Sequence, residues 1–130
     1  MDKTLLLRRK LVAFADYCIA FKKLATYEEF SKLVGMMPGN WHISKALCWM
    51  AELDLMNNHP IRSSIFVKIP TKDENGNIIK ASNPGEGYFK FFFERGLLEK
   101  ETIDLEFWSN QLRKIGFQDN DLSETYGVKL

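Results

Sequence analysis

Histidine, cysteine and carboxylate side chains carry most enzyme and metal chemistry, and in this chain they are scattered. His42 and His59 stand seventeen residues apart with no Cys or carboxylate at ligand spacing, so no zinc site is expected. Cys18 and Cys48 each fall inside an apolar helical pattern, with no neighbouring His to lower a thiol pKa. Both read as buried, reduced thiols. Glu52, Asp54 and the Asp73-Glu74 pair supply carboxylates but no defined pair across a pocket, so general acid–base chemistry has no candidate. Gly35, Gly39, Gly85 and Gly87 lack the GxGxxG spacing of a phosphate-binding loop and read as turn glycines. No catalytic residue, metal ligand or cofactor is assigned.

Recognition chemistry is better represented. Trp41 opens a helical pattern, where an indole can wedge into a base step or stack on an unpaired base. A hydrophobic staple over the preceding turn is the structural alternative. Asn40, Ser44 and Lys45 share the outer face of the same helix, where phosphate and base-edge contacts are usually made. Tyr27 suits a phosphate contact or nucleotide expulsion, and equally a cap on the core. Arg62 falls near Lys45 and Lys68 in a basic group; Arg8-Arg9-Lys10 and Lys22-Lys23 are two further groups, and each can instead be a solvated face.

The elements that must position these residues follow from periodicity. Over Lys3–Lys23, Leu7, Leu11, Phe14, Cys18 and Phe21 form one apolar stripe at helical spacing. Thr26 and Glu29 have capping-box spacing and start a second helix, with Phe30, Leu33 and Val34 inward and Gly35 as its stop. After a turn at Met36–Gly39, Asn40 caps a third helix running to about Met56. Its buried face is Ile43, Ala46, Leu47, Met50 and Leu53. Ser63–Ile69 alternates as a strand does, and Asn75-Gly76 marks a hairpin tip within Asp73–Asn77, with Ile78-Ile79 starting the return arm.

The Tyr88–Phe93 run fits a helix through Phe89, Phe92 and Phe93, or a strand through Phe89, Phe91 and Phe93; the reading adopted is a short helix ended by Gly96. A last helix is expected over about Thr102–Lys114, with Leu105, Trp108, Leu112 and Ile115 inward and Gly116 as its stop. Residues 117–130 are polar and non-periodic and read as a C-terminal tail, loosely held. The chain is thus read as one domain over residues 1–116 plus that tail. The expected class is α+β, mostly α, winged helix-turn-helix-like, with a small β-ribbon wing and a C-terminal helix.

A length of 130 residues suits a single core. The hydrophobic share of 45% excludes a disordered chain, and the ten Phe, three Trp and four Tyr are enough to leave aromatics for a partner surface. Eighteen basic residues are nearly cancelled by seventeen acidic ones, for a net charge of +1, so a nucleic-acid face has to come from local clustering. The Met1-Asp2-Lys3 start leads into a charged amphipathic helix, and no apolar run reaches the ~18 residues of a membrane span. A cytoplasmic protein without a signal peptide or membrane partner is expected.

At named residues the chain resembles a known family. Thr26-Tyr27-Glu28-Glu29 through Leu33-Val34-Gly35 is similar to the T/S-Y-G-E-L-A…-I-G segment of the alkylguanine-DNA alkyltransferase C-terminal domain. Continuing without a gap, Trp41–Lys45 falls at the start of that family's recognition helix, and Asn58–Arg62 falls where the family carries N-P…P-C-H-R. The resemblance covers about a third of the chain. It implies a winged-helix, DNA-binding fold in which Tyr27 matches the tyrosine that helps rotate a damaged nucleotide and Trp41 takes the place of the intercalating arginine. The alkyl-accepting Cys and the His are absent, since Pro60 is followed by Ile61 and Arg62. Residues 61–93, with the Pro84–Phe89 turn, also resemble uncharacterised bacterial proteins on the same scaffold.

The expectation is a non-enzymatic DNA-binding protein of alkyltransferase-like type, with Tyr27, Asn40, Trp41, Ser44, Lys45 and Arg62 as nucleic-acid contacts. The alternative is a protein–protein interaction module, such as an immunity protein, antitoxin or accessory subunit, on the same scaffold; balanced charge and aromatic excess favour it.

Overall fold

The computed structural model describes residues 2–130. Six α-helices and four short strands are present among them: α1 (Lys3–Ala20), β1 (Ala25–Thr26), α2 (Tyr27–Val34), α3 (Trp41–Met56), β2 (Phe66–Val67), β3 (Thr71–Lys72), β4 (Ile78–Lys80), α4 (Glu86–Glu94), α5 (Leu105–Ile115) and α6 (Asp119–Tyr126). The architecture is α+β and mostly helical.

Each of the first three helices begins at a side chain that satisfies a free backbone N–H. Asp2 Oδ1 accepts from the Thr4 N–H at 2.8 Å, and Asn40 Oδ1 from the His42 N–H at 2.8 Å. Thr26 and Glu29 close the expected capping box: Thr26 Oγ1 accepts from the Glu29 N–H, and Glu29 Oε1 from the Thr26 N–H. Gly35 ends α2 at φ 69°, a left-handed conformation that costs a residue without a Cβ little.

Burial follows the helical phase with adjustments. Leu7, Leu11, Ala15 and Cys18 face inward from α1, while Phe21 lies past its end and is 68% exposed. In α2 the inward line is Tyr27, Phe30, Ser31 and Val34, so Leu33, expected inside, points to solvent. From α3 the buried residues are Ile43, Ala46, Met50, Ala51 and Asp54; Leu47 and Leu53 are half-buried. Cys48, expected to be buried, is exposed.

The segment following α3 departs from the alternating strand expected over Ser63–Ile69. Arg62–Ile65 forms a 3-10 turn and only Phe66–Val67 is strand, paired in parallel with β1 through Ala25↔Phe66 and Thr26↔Val67. Ser63 through Val67 are all buried, so neither face meets solvent. The serines are tolerated because Ser63 Oγ donates to Leu47 O at 2.8 Å and Ser64 Oγ shares a 2.6 Å hydrogen bond with Tyr88 Oη. Trp108 Nε1 donates to Ser64 O at 2.8 Å from the other side.

The hairpin signal holds. β3 and β4 form an antiparallel ribbon whose tip is Asp73–Asn77, with Asp73 Oδ1 accepting from the Asn75 and Asn77 N–H groups at 2.9 Å. The phenylalanine run is a helix, α4, with Phe89, Phe91 and Phe92 buried. α5 begins at Leu105, because Asp104 caps it by accepting from the Phe107 N–H at 3.0 Å. Leu105, expected inward, is therefore a first-turn residue at the surface, 54% exposed.

The expected tail beyond residue 116 is corrected. It carries α6, and Phe117, Leu122, Tyr126 and Val128 join the same apolar core as Leu11, Phe30 and Phe66. Tyr126 Oη donates to Leu24 O at 3.1 Å, and the Ser82 N–H donates to Tyr126 O at 2.9 Å. The larger cluster of buried residues thus draws on side chains from α1 through α6 and on Val128 beyond it, and a smaller one groups Ala51, Ile61, Phe91 and Phe92.

A candidate nucleic-acid interface

The N-terminal halves of α1 and α3 lie side by side and leave a groove of about 270 Å³ between them. Phase explains its lining. Leu7 from the apolar stripe of α1 and Ala46 from that of α3 both line it, together with the flanking Lys3, Arg8, Trp41 and Lys45. The lining holds three cations (Lys3, Arg8 and Lys45) together with His42, and no carboxylate. The Asp2 carboxylate lies at the groove's end, accepting from the N–H of the lining residue Thr4.

Aromatic surface is interleaved with these charges. Trp41 is 58% exposed, its ring centroid 4.0 Å from that of His42, and Lys45 Nζ lies 4.5 Å above the indole. Arg8 Cζ stands 4.8 Å from the ring centroid of Trp49, one turn further along α3. A cation over an indole face is held by the ring quadrupole, which keeps charge and stacking surface adjacent. Phosphate neutralisation beside an open aromatic face is the arrangement that single-strand and wedge binders use. Further along α3, Glu52 pairs with Arg95.

The six residues singled out from the sequence are not all brought together. Trp41 and Lys45 line the groove. Asn40 caps α3 beside it, and Ser44 is exposed on the neighbouring face, toward α2 and α4. Tyr27 is turned into the fold: its Oη accepts from the Gly85 N–H at 3.0 Å, its ring lies 6.5 Å from that of Phe66, and burial raises its pKa. Arg62 is also committed, with Nε and Nη2 on Asp54 and Nη1 on Asp16. Sequence reasoning did not place Lys3, Arg8 or His42 in this groove. Their signal was the position of Lys3 and Arg8 at the edge of the α1 stripe, which becomes informative once α1 is packed on α3.

Neither cysteine has a lowered thiol pKa, and desolvation raises that of Cys48 as well. Both are free; Cys18 is fully buried, and that burial pushes its thiol up to about 11. No helix is long and apolar enough to cross a membrane among the described residues. Set against protein-family models, curated proteins and solved structures, the chain matches none.

Proposed function

We propose that this chain is a non-enzymatic, cytoplasmic DNA-binding protein of winged-helix, alkyltransferase-like type, in which the N-terminal half of α3 meets the nucleic acid. The observation that carries the reading is the carboxylate-free groove of Lys3, Arg8 and Lys45 around an exposed Trp41. The cations hold phosphates, the indole stacks on a base or enters a base step, and the β3–β4 ribbon reaches along the backbone with Lys72 and Lys80. The order of helix, strand, two helices, strand and ribbon supports the winged-helix assignment. Titration of labelled double- and single-stranded DNA at ~50 mM salt, where charge-driven contacts are strongest, tests the proposal. Absence of binding to both overturns it.

A second reading, a protein-interaction module, is favoured by one surface feature. Tyr17 and Phe21 form an exposed aromatic pair at the end of α1, with ring centroids 4.8 Å apart. Under this reading a native partner is held through Tyr17 and Phe21, and their replacement by Ser abolishes the complex while DNA binding is unchanged.

A further inference from the structure

We infer that a second cleft, at the elbow between α2 and α3, binds a small organic molecule through its primary amine. The cleft, open to solvent on one side, has a volume of about 420 Å³ and is lined by Tyr27, Ile43, Leu47, Lys68 and Ile69 among others. That volume suits a small-molecule site. Its inner wall holds an anomaly. Glu28 Oε2 and Ser31 Oγ are buried with no hydrogen-bond partner, and they are two of the three such atoms among the described residues. Ser31 is 1% exposed. Native folds rarely leave such atoms unpaired, so two of them on one turn of α2 and lining one cleft are positions that a ligand's donors can satisfy.

The chemistry of the pair selects that group. A carboxylate oxygen only accepts, and a hydroxyl accepts as well as donates, so the complement is a group with several N–H donors. An ammonium fits best, because charge-assisted bonds to a carboxylate are the stronger kind. Tyr27, Ile43 and Leu47 offer an apolar wall to the attached carbon body. Lys68 makes no ion pair within 4.0 Å among the described residues and disfavours a second cation at the rim. A carboxylate at the ligand's far end meets it instead. The ligand is therefore a small amine with a branched or aromatic body, and aliphatic amino acids are the simplest of this class. The inference does not rest on the nucleic-acid reading, since binding is read without DNA.

Three probes of one shape test it on the full chain: L-leucine, isoamylamine, which lacks the carboxylate, and 4-methylpentanoate, which lacks the amine. Amide chemical shifts are followed to about 10 mM probe, enough to reveal mM affinity. Leucine and isoamylamine are expected to give saturable shifts at residues 27–35 and 40–47, and 4-methylpentanoate none. Glu28→Gln is expected to weaken both amines roughly tenfold or more, as loss of a charge-assisted bond does. Lys68→Met is expected to weaken leucine alone, and Ser31→Ala provides the second variant should Glu28→Gln fail to fold. Equal binding of 4-methylpentanoate, or no saturable shift with any probe, overturns the inference.

Discussion

Arg62 clasps Asp54: its Nη2 lies 2.9 Å from Asp54 Oδ1, and its backbone N–H donates to Asp54 Oδ2 at 2.9 Å. Asp54 is 1% exposed on the inner face of α3, and the remaining Arg62 nitrogen reaches Asp16 of α1 at 3.2 Å. The pair ties α3, α1 and the 3-10 turn together, and the Asp54 hydrogen bond raises the guanidinium pKa. Removing one partner strands a buried charge. Arg62→Met, which leaves the Asp54 carboxylate buried and without its cation, is expected to cost about 3–5 kcal/mol in urea unfolding, and Arg62→Lys to retain only part of the stability because ammonium lacks the fork. A loss under roughly 0.5 kcal/mol, the size of a typical surface effect, would contradict this.

Trp41 should separate binding from folding. Its indole is more than half exposed, so Trp41→Ala is expected to leave the melting temperature nearly unchanged. Loss of one base stack is worth about 1–3 kcal/mol, which predicts single-strand affinity weaker by roughly 5- to 160-fold. Fluorescence anisotropy with a parallel thermal melt checks both halves. Unchanged affinity would assign the indole to closing the α2–α3 turn.

Stability should fall in alkali, and Cys18 provides part of the slope. Burial raises its pKa from 9.0 to about 11, so the folded state favours the neutral thiol. A raised native pKa leaves stability intact below pH 9.0 and removes it as pH rises through about 11. Burial raises the pKa of Tyr27, Tyr88 and Tyr126 as well, which acts in the same direction. Urea unfolding across this window is expected to show a shallower decline for Cys18→Ala than for the parent, by on the order of 2 kcal/mol. Parallel curves would show that the thiol does not titrate with folding.

The C-terminal segment should prove essential to the fold. Leu122 is fully buried, and Tyr126 reaches back to Leu24 O. Leu122→Ala is expected to cost about 2–5 kcal/mol, and a chain ending at Gly116 to lose its cooperative unfolding transition. A cooperative melt in the truncated chain would restore the division into domain and tail.

What was legible in the sequence was local. Thr26 with Glu29, Asn40 before α3, and Asn75-Gly76 at the ribbon tip each act within four residues, so spacing alone reveals them. The strand expected over Ser63–Ile69 failed because period-2 reasoning assumes one wet face. Here both faces are buried, and the serines are satisfied by Leu47 O and Tyr88, which lie far off in sequence. α6 stayed hidden because its buried face is the single i,i+4 pair Leu122 and Tyr126, too short a pattern to stand out among polar neighbours. Asp54 did carry a signal: it shares the inward phase of Ile43, Ala46 and Met50, and a carboxylate there needs a cation such as Arg62. The groove needed the packing of α1 on α3, which no single helix reveals.

The salt dependence of DNA affinity tests the central claim most directly, because it counts the cations in contact with phosphate. If Lys3, Arg8 and Lys45 of the groove and Lys72 and Lys80 of the ribbon all engage duplex, log Kobs against log salt has a slope of about −4.5, and Arg8→Ala with Lys45→Ala reduces it to about −2.7. A slope unchanged by that double variant, or no measurable affinity at low salt, would show that the groove between α1 and α3 does not hold DNA.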